Sequence, residues 1–303
     1  MRKKLNLSDF SFNLVFGIIC IFSFLIVAYP LYFVVIASFS SSTMVNQGEV
    51  VFWIKDFSIY GYQQILADSR IWIGYRNTLF YSIVGTLINL VVTMPLAYTL
   101  SRKEFRFRRP LMAIFVFTMY FSGGLIPSYL LMQKLHLMNT VWVMMIPTAV
   151  NVYNLIIARS FMDNLPPELY EASQLDGCSH FTYFCKVVLP LSKAVISVLF
   201  LYYFVQHWND YFSGLMYIND EKLEPLQLTL RNILLRNQAF ANGAGIGANV
   251  SGASSYAQTY ADQIKFGAII VSTLPLLCIY PFIQKYFEKG VMSARLKDKR
   301  PAI

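Results

Sequence analysis

An all-α integral membrane protein is the fold class this sequence predicts, with six transmembrane helices, cytoplasmic N- and C-termini and a cytoplasmic helix between spans four and five. Three observations predict it. The 303 residues are 56% hydrophobic and only 14% charged, against roughly a quarter charged in soluble domains. Six apolar stretches are each long enough to cross a hydrocarbon core of about 30 Å at about 1.5 Å per residue. The basic residues behind the net charge of +9 gather at alternate span ends, which is the pattern of cytoplasmic loops rather than of a nucleic-acid surface.

The first span is expected at about 14–37. It follows Arg2-Lys3-Lys4, and its apolar core is longer than the roughly 7 to 15 residues of a secretion signal's apolar region, so it reads as retained, with the N-terminus inside. Residues 38–76 then lie outside, with Trp53, Tyr60, Tyr62 and Trp72 suited to the membrane interface or to a partner. Span two, about 77–100, ends in Ser101-Arg102-Lys103-Glu104-Phe105-Arg106-Phe107-Arg108-Arg109-Pro110. Five basic residues against one acidic fix that loop in the cytoplasm.

Span three, about 111–132, contains Gly123-Gly124 and Pro127, a weak point that must pack against neighbours or line a cavity. Span four, about 140–160, holds Pro147, Asn151, Tyr153 and Asn154, with Arg159 at its inner end. The cytoplasmic loop 163–190 follows. In it Asn164 is expected to cap a helix with Pro166 and Pro167 in the first turn, Gly177 to stop it in a left-handed conformation, and Ser179 to cap a second helix.

Span five, about 191–218, places Tyr203, Gln206, His207, Asp210, Tyr211 and Gly214 on one helix face by their i, i+3, i+4, i+7 recurrence. Facing lipid would be costly for His207 and Asp210, so the stripe must face protein or water. The extracytoplasmic loop 219–262 includes a section at 239–255 rich in Gly, Ala, Ser and Asn, a composition that builds no core. Span six, about 263–287, contains Pro275 and Pro281, and the basic tail beyond it is expected inside. The whole chain, 1–303, is therefore one transmembrane domain.

Cys20, Cys178, Cys185 and Cys278 have no metal-ligand spacing, and His136, His180 and His207 are scattered; no disulfide and no metal site are expected. A Gly-rich lysine loop, an HExxH and a GxSxG are all missing from the sequence, so catalysis by this chain is not expected. A membrane-embedded enzyme and an ion-coupled carrier are the competing classes. The carrier would need charged relays in its spans, where only His207 and Asp210 are available away from the edges.

Glu171-Ala172-Ser173, followed by Asp176-Gly177 and Leu189-Pro190, resembles the EAA signature of the permease subunits of binding-protein-dependent (MetI-like) ABC importers. Ser173 departs from the usual second alanine by a small-for-small change. Asn77-Thr78-Leu79, Pro95-Leu96-Ala97-Tyr98 and Trp208-Asn209-Asp210-Tyr211 are similar to carbohydrate permeases of the maltose-transporter type. The segment Phe121-Ser122-Gly123-Gly124-Leu125-Ile126-Pro127 looks closer to permeases for oligosaccharides or polysaccharide fragments.

That resemblance implies import of a carbohydrate, with Glu171, Ala172, Ser173, Asp176 and Gly177 docking an ATPase. The chain itself would bind no cofactor, ATP and Mg being held by partner ATPase subunits. Implied partners are a second homologous permease, two ABC ATPase subunits, an extracytoplasmic sugar-binding protein and the lipid of a bacterial plasma membrane; nucleic acid is not among them. A non-sugar solute is the alternative within the family. Tyr153, Asn154, Trp208, Asn209, Asp210 and Tyr211 are candidates for the sugar path, because aromatic faces cover apolar sugar surface while amides and a carboxylate meet hydroxyls. Helix-to-helix hydrogen bonding is the plain alternative for each.

Overall fold

The computed structural model describes residues 7–241, 263–279 and 281, and among them the chain is helical, with a single isolated β-bridge between Ser40 and Phe57. The basic ends at 2–4 and 288–303, most of the section 239–255 and the last residues of the expected sixth span lie outside the described residues. Two compact units are formed, residues 1–68 with 232–273, and residues 69–231 with 274–303.

In the first unit, α1 (Leu7–Ser38) is long and apolar enough to cross a membrane. Short helices α2 (Ser42–Asn46) and α3 (Tyr60–Ala67) follow it. Small residues set their packing: a Cβ on Gly61 would lie 2.8 Å from the Gln263 carbonyl oxygen. Gln263 belongs to the helix described over 263–279, and its Nε2 donates to the Ser58 carbonyl at 2.6 Å. The Tyr62 hydroxyl donates to Ser38 Oγ at 2.8 Å. Burial raises the Tyr62 phenol above its ordinary range and outweighs the opposing effect of that hydrogen bond, so Tyr62 stays a neutral donor.

The second unit is built on α4 (Ser69–Ser101), among the described residues the other helix of spanning length and hydropathy. Next come α5 (Arg108–Tyr120), α6 (Leu125–Lys134), α7 (Val152–Asp163), α8 (Pro167–Leu175) and α9 (His180–Tyr183). A π turn over Phe184–Val188 leads to α10 (Leu189–Leu191), then α11 (Lys193–Trp208), α12 (Phe212–Tyr217) and the first residues of α13 (Leu226–Ala241), whose residues from 232 on belong to the first unit. In hydrocarbon, apolar side chains gain little by leaving lipid for protein, so close approach and hydrogen bonds must hold helices together. The buried face of α4 supplies both.

Thr78, Ser82, Gly85, Thr86, Asn89 and Thr93 recur at three- and four-residue steps and are buried. Asn77 Nδ2 donates to the carbonyls of Lys222 and Glu224, at 2.7 and 3.0 Å. Thr78 Oγ1 accepts the Leu226 N–H, and Thr93 meets the Tyr203 hydroxyl at 2.8 Å. Further along, Met94, Ala97, Leu100, Leu155, Ala158, Val188 and Leu199 close the core around α4, α7 and α11.

Three expected spans are broken. In the third, α5 and α6 meet at 115°, and the break falls at Gly123-Gly124, where Gly124 has φ +88°, a conformation costly for any residue with a Cβ. Pro127 sits in the first turn of α6, where no N–H is needed. The segment 140–160 is not one helix: a 3₁₀ turn, Val141–Met144, is separated from α7 by a stretch containing Pro147, whose missing N–H cannot continue the ladder. Asn151 then caps α7 by accepting the Asn154 N–H at 3.1 Å, while Asn89 Nδ2 donates to the freed Thr148 carbonyl.

In the fifth, α11 stops at Trp208 and α12 starts at Phe212, because Asp210 Oδ1 takes the Ser213 N–H at 2.9 Å. The expected stripe from Tyr203 to Gly214 is therefore not one helix face. Asn164 likewise closes α7 as its C-terminal cap rather than opening α8, which Pro166 precedes.

Candidate functional site

Two places gather the residues singled out by sequence, and both lie in the second unit. The first is α8. Pro167 occupies its first turn and Glu168 lies near the positive helix end. At the other end Asp176 is the C-cap and Gly177 follows at φ +68°, with the Cys178 N–H returning to the Ser173 carbonyl at 2.9 Å. That crossing of bonds is how a left-handed glycine stops a helix.

The exposed surface of this element carries Glu171, Ala172, Leu175, Asp176 and Gly177, and Leu175 is 90% exposed, as few leucines are on a lone polar helix. Ser173 departs from the expected small outer face. It is buried, and its Oγ donates to the Tyr170 carbonyl at 2.7 Å. Ser179 caps α9 as expected, accepting the Thr182 N–H at 3.2 Å.

Tyr170, on the inward side of α8, belongs to an arrangement that the sequence did not suggest. The Arg102 guanidinium carbon lies 4.7 Å from the Tyr98 ring centroid, 4.5 Å from that of Tyr170 and 5.2 Å from that of Tyr183. The Tyr170 and Tyr183 rings meet edge to face at 5.4 Å. Arg102 had only a topological meaning in the sequence, since its three partners come from three separate helices.

The second place is an open groove of about 510 Å³ between the start of α7 and the middle of α11, lined by Asn151, Tyr153, Asn154, Leu201, Tyr202, Val205 and Gln206. Tyr153 and Tyr202 are exposed, whereas Asn154 is buried. Two of the six path candidates, Tyr153 and Asn154, are brought together here. The other four are not. Trp208 is buried and stacks on Phe204 at 5.8 Å; Asn209 is the C-cap of α11.

Asp210 caps the following turn as described, and Tyr211 lies against the Arg231 guanidinium at 6.0 Å. Tyr202 and Gln206, four residues apart on α11, are groove residues that the predicted stripe did not pick out together. Their signal was an aromatic and an amide at i, i+4.

Over 298 residues the chain is 35% identical to the polygalacturonan/rhamnogalacturonan transport system permease protein YtcP of Bacillus subtilis (strain 168), covering 98% of this chain and 100% of that one. Protein LplC of the same organism is 35% identical over 268 residues, 88% of each chain. A chain from the crystal structure of a bacterial ABC transporter involved in the import of the acidic polysaccharide alginate superposes with a TM-score of 0.81 at 29% identity, covering 94% of this chain and 100% of that chain. Residues 71–293 match the family described as binding-protein-dependent transport system inner membrane component, and the chain belongs to that family.

Proposed function

We propose that this chain is the membrane subunit of an ATP-driven ABC importer that moves a carbohydrate, an oligosaccharide or polysaccharide fragment, across a bacterial cytoplasmic membrane. The chain crosses the membrane six times with both termini inside, the broken third, fourth and fifth segments each counting as one crossing. ATP and Mg are bound by two separate ABC ATPase subunits. A second, homologous permease completes the pathway, and an extracytoplasmic sugar-binding protein delivers the cargo to the outward-open state. The similarity to a polygalacturonan/rhamnogalacturonan transport system permease and to a transporter involved in the import of alginate supports the carbohydrate assignment.

One observation carries the coupling part of this reading: α8 holds Glu171, Ala172, Leu175 and Gly177 outward on a short helix whose inward side is tied to α4 and α9 through the Arg102 cage. A helix exposing a small residue, acids and a bare leucine fits a cleft on another protein. Closure of the ATPases on ATP then moves α8, and the two end states must differ in their binding free energy for sugar. Tyr153 and Tyr202 offer ring faces to the sugar, and Asn151 and Gln206 offer amides to hydroxyls.

An ion-coupled carrier finds no support here. His207 Nε2 is bonded to Asn89 Oδ1 at 2.7 Å and Asp210 to a backbone N–H, so both groups have structural partners rather than a relay.

The test is Glu171→Arg and Gly177→Asp, each assayed in proteoliposomes with labelled galacturonan, alginate and neutral hexose oligosaccharides. Both variants are expected to fold and reach the membrane, to lose uptake, and to lose substrate-stimulated ATP hydrolysis. Wild-type uptake by both would sink the docking assignment.

A further inference from the structure

Most of the basic residues in 101–110 need only water and lipid headgroups, but Arg102 is placed differently. It follows the last residue of α4, and its backbone N–H returns to the Thr99 carbonyl at 3.3 Å. Its guanidinium is thereby directed at three ring faces from three elements: Tyr98 of α4, Tyr170 of α8 and Tyr183 of α9, all within 5.2 Å. The Arg102 Nε is buried and has no hydrogen-bond partner among the described residues, so the rings are what receive this side of the cation. Cation–π attraction acts within about 6 Å of the ring centroid and strengthens as water is excluded.

We infer that Arg102 is a positioning residue that couples the docking helix α8 to the long helix α4. This inference rests on the proposed docking role of α8. In the cage a ring of α8 and the end of α4 share a single partner, and Tyr170 is held a second time by the Tyr183 edge at 5.4 Å and by His180, stacked at 5.8 Å. When α8 moves, the cation has to follow Tyr170 or lose its face. It follows directly on a 33-residue helix whose nearer half carries Thr93 and Asn89, bonded to Tyr203 and His207 of α11, the helix that lines the groove. Arg suits this role better than Lys, because its flat, weakly hydrated cation stacks on several faces at once.

The complex purified through a tag on this chain tests the idea without any need to know the sugar. All four native cysteines are replaced by serine, and a spin label is attached at Tyr153→Cys, on the groove. ADP and vanadate, which trap the closed ATPases, are expected to change the label's mobility in the otherwise unaltered complex. Arg102→Met should retain the ATPase subunits and their basal hydrolysis, while the responding fraction falls roughly tenfold, within the about 5- to 150-fold span of coupling between sites. Arg102→Lys should recover part of the response, which a purely steric role of the side chain would not require.

Tyr170→Leu keeps apolar bulk while removing one face, and should act in the same direction even if Arg102→Met fails to fold. A full response in Tyr170→Leu or Arg102→Met overturns the inference. So does loss of the ATPases in Arg102→Met, which would make Arg102 a builder of the docking surface rather than a transmitter. A label silent in the parent complex, together with Glu171→Arg still binding the ATPases, would overturn the docking reading itself.

Discussion

Gly85 decides how closely α4 and α11 can approach. A Cβ at this position would lie 2.6 Å from His207 Nε2 and 2.7 Å from Cε1, and the imidazole is itself fixed by Asn89 at 2.7 Å. Gly85→Ala must therefore push a buried ring off its partner, and overpacking of this kind costs about 1–3 kcal/mol. Asn89→Ala removes the partner instead and strands both His207 Nε2 and the Thr148 carbonyl, for a similar penalty of about 1–3 kcal/mol. Thermal unfolding of each variant in nanodiscs is expected to show a lower midpoint, and the double variant should lose less than the sum because both act on one imidazole. Unchanged midpoints would mean that the seam is not what joins these helices. The residue types along α4 were readable as small and polar, yet no feature of the sequence says that Asn89 meets His207, because the pairing is set by packing over 118 positions.

At the scale of elements, hydropathy marks apolar stretches but not the breaks within them. Gly123-Gly124 announced its bend, since only glycine accepts φ +88° cheaply. The interruptions after Met144 and after Trp208 depend instead on side chains that give the backbone other partners, Asn89 for Thr148 and Asp210 for Ser213. Composition averages cannot register such bonds, so one continuous helix was the default expectation in both places. The same bonds sort the groove from its surroundings.

Tyr202 lines the groove, and its removal in Tyr202→Ala should weaken sugar-dependent stimulation by roughly three- to tenfold, the equivalent of about 0.5–1.5 kcal/mol from one aromatic face. Asp210→Asn keeps an oxygen acceptor for Ser213 and lies outside the lining, so its stimulation curve should match the parent's. If Asp210→Asn shifted that curve and Tyr202→Ala did not, the path would run past the end of α11 rather than between α7 and α11.

For the whole molecule, the determining fact is how much apolar surface the chain leaves uncovered. The most apolar 18-residue window of Phe12–Ser38 has a mean hydropathy of 2.6, and none of its residues is buried within the chain. The groove has a volume inside the roughly 300–1,000 Å³ range of ligand sites, but it is open, whereas such sites normally enclose most of their ligand. Lipid can cover α1; it cannot wall a sugar path, because sugar hydroxyls in hydrocarbon would lack partners. On the proposed reading a second protein surface completes that wall, which is the role proposed for the homologous permease.

The tagged chain is accordingly expected to co-elute with one further permease and two ATPase subunits from its native membrane, and the reconstituted assembly to import only when ATP is present on the side bearing α8. Blocking hydrolysis with vanadate should stop uptake while leaving the assembly intact. Import by this chain alone in nucleotide-free vesicles would contradict the argument at its root, since the sequence carries no motif of its own for binding a nucleotide and the energy would have to enter somewhere other than through α8.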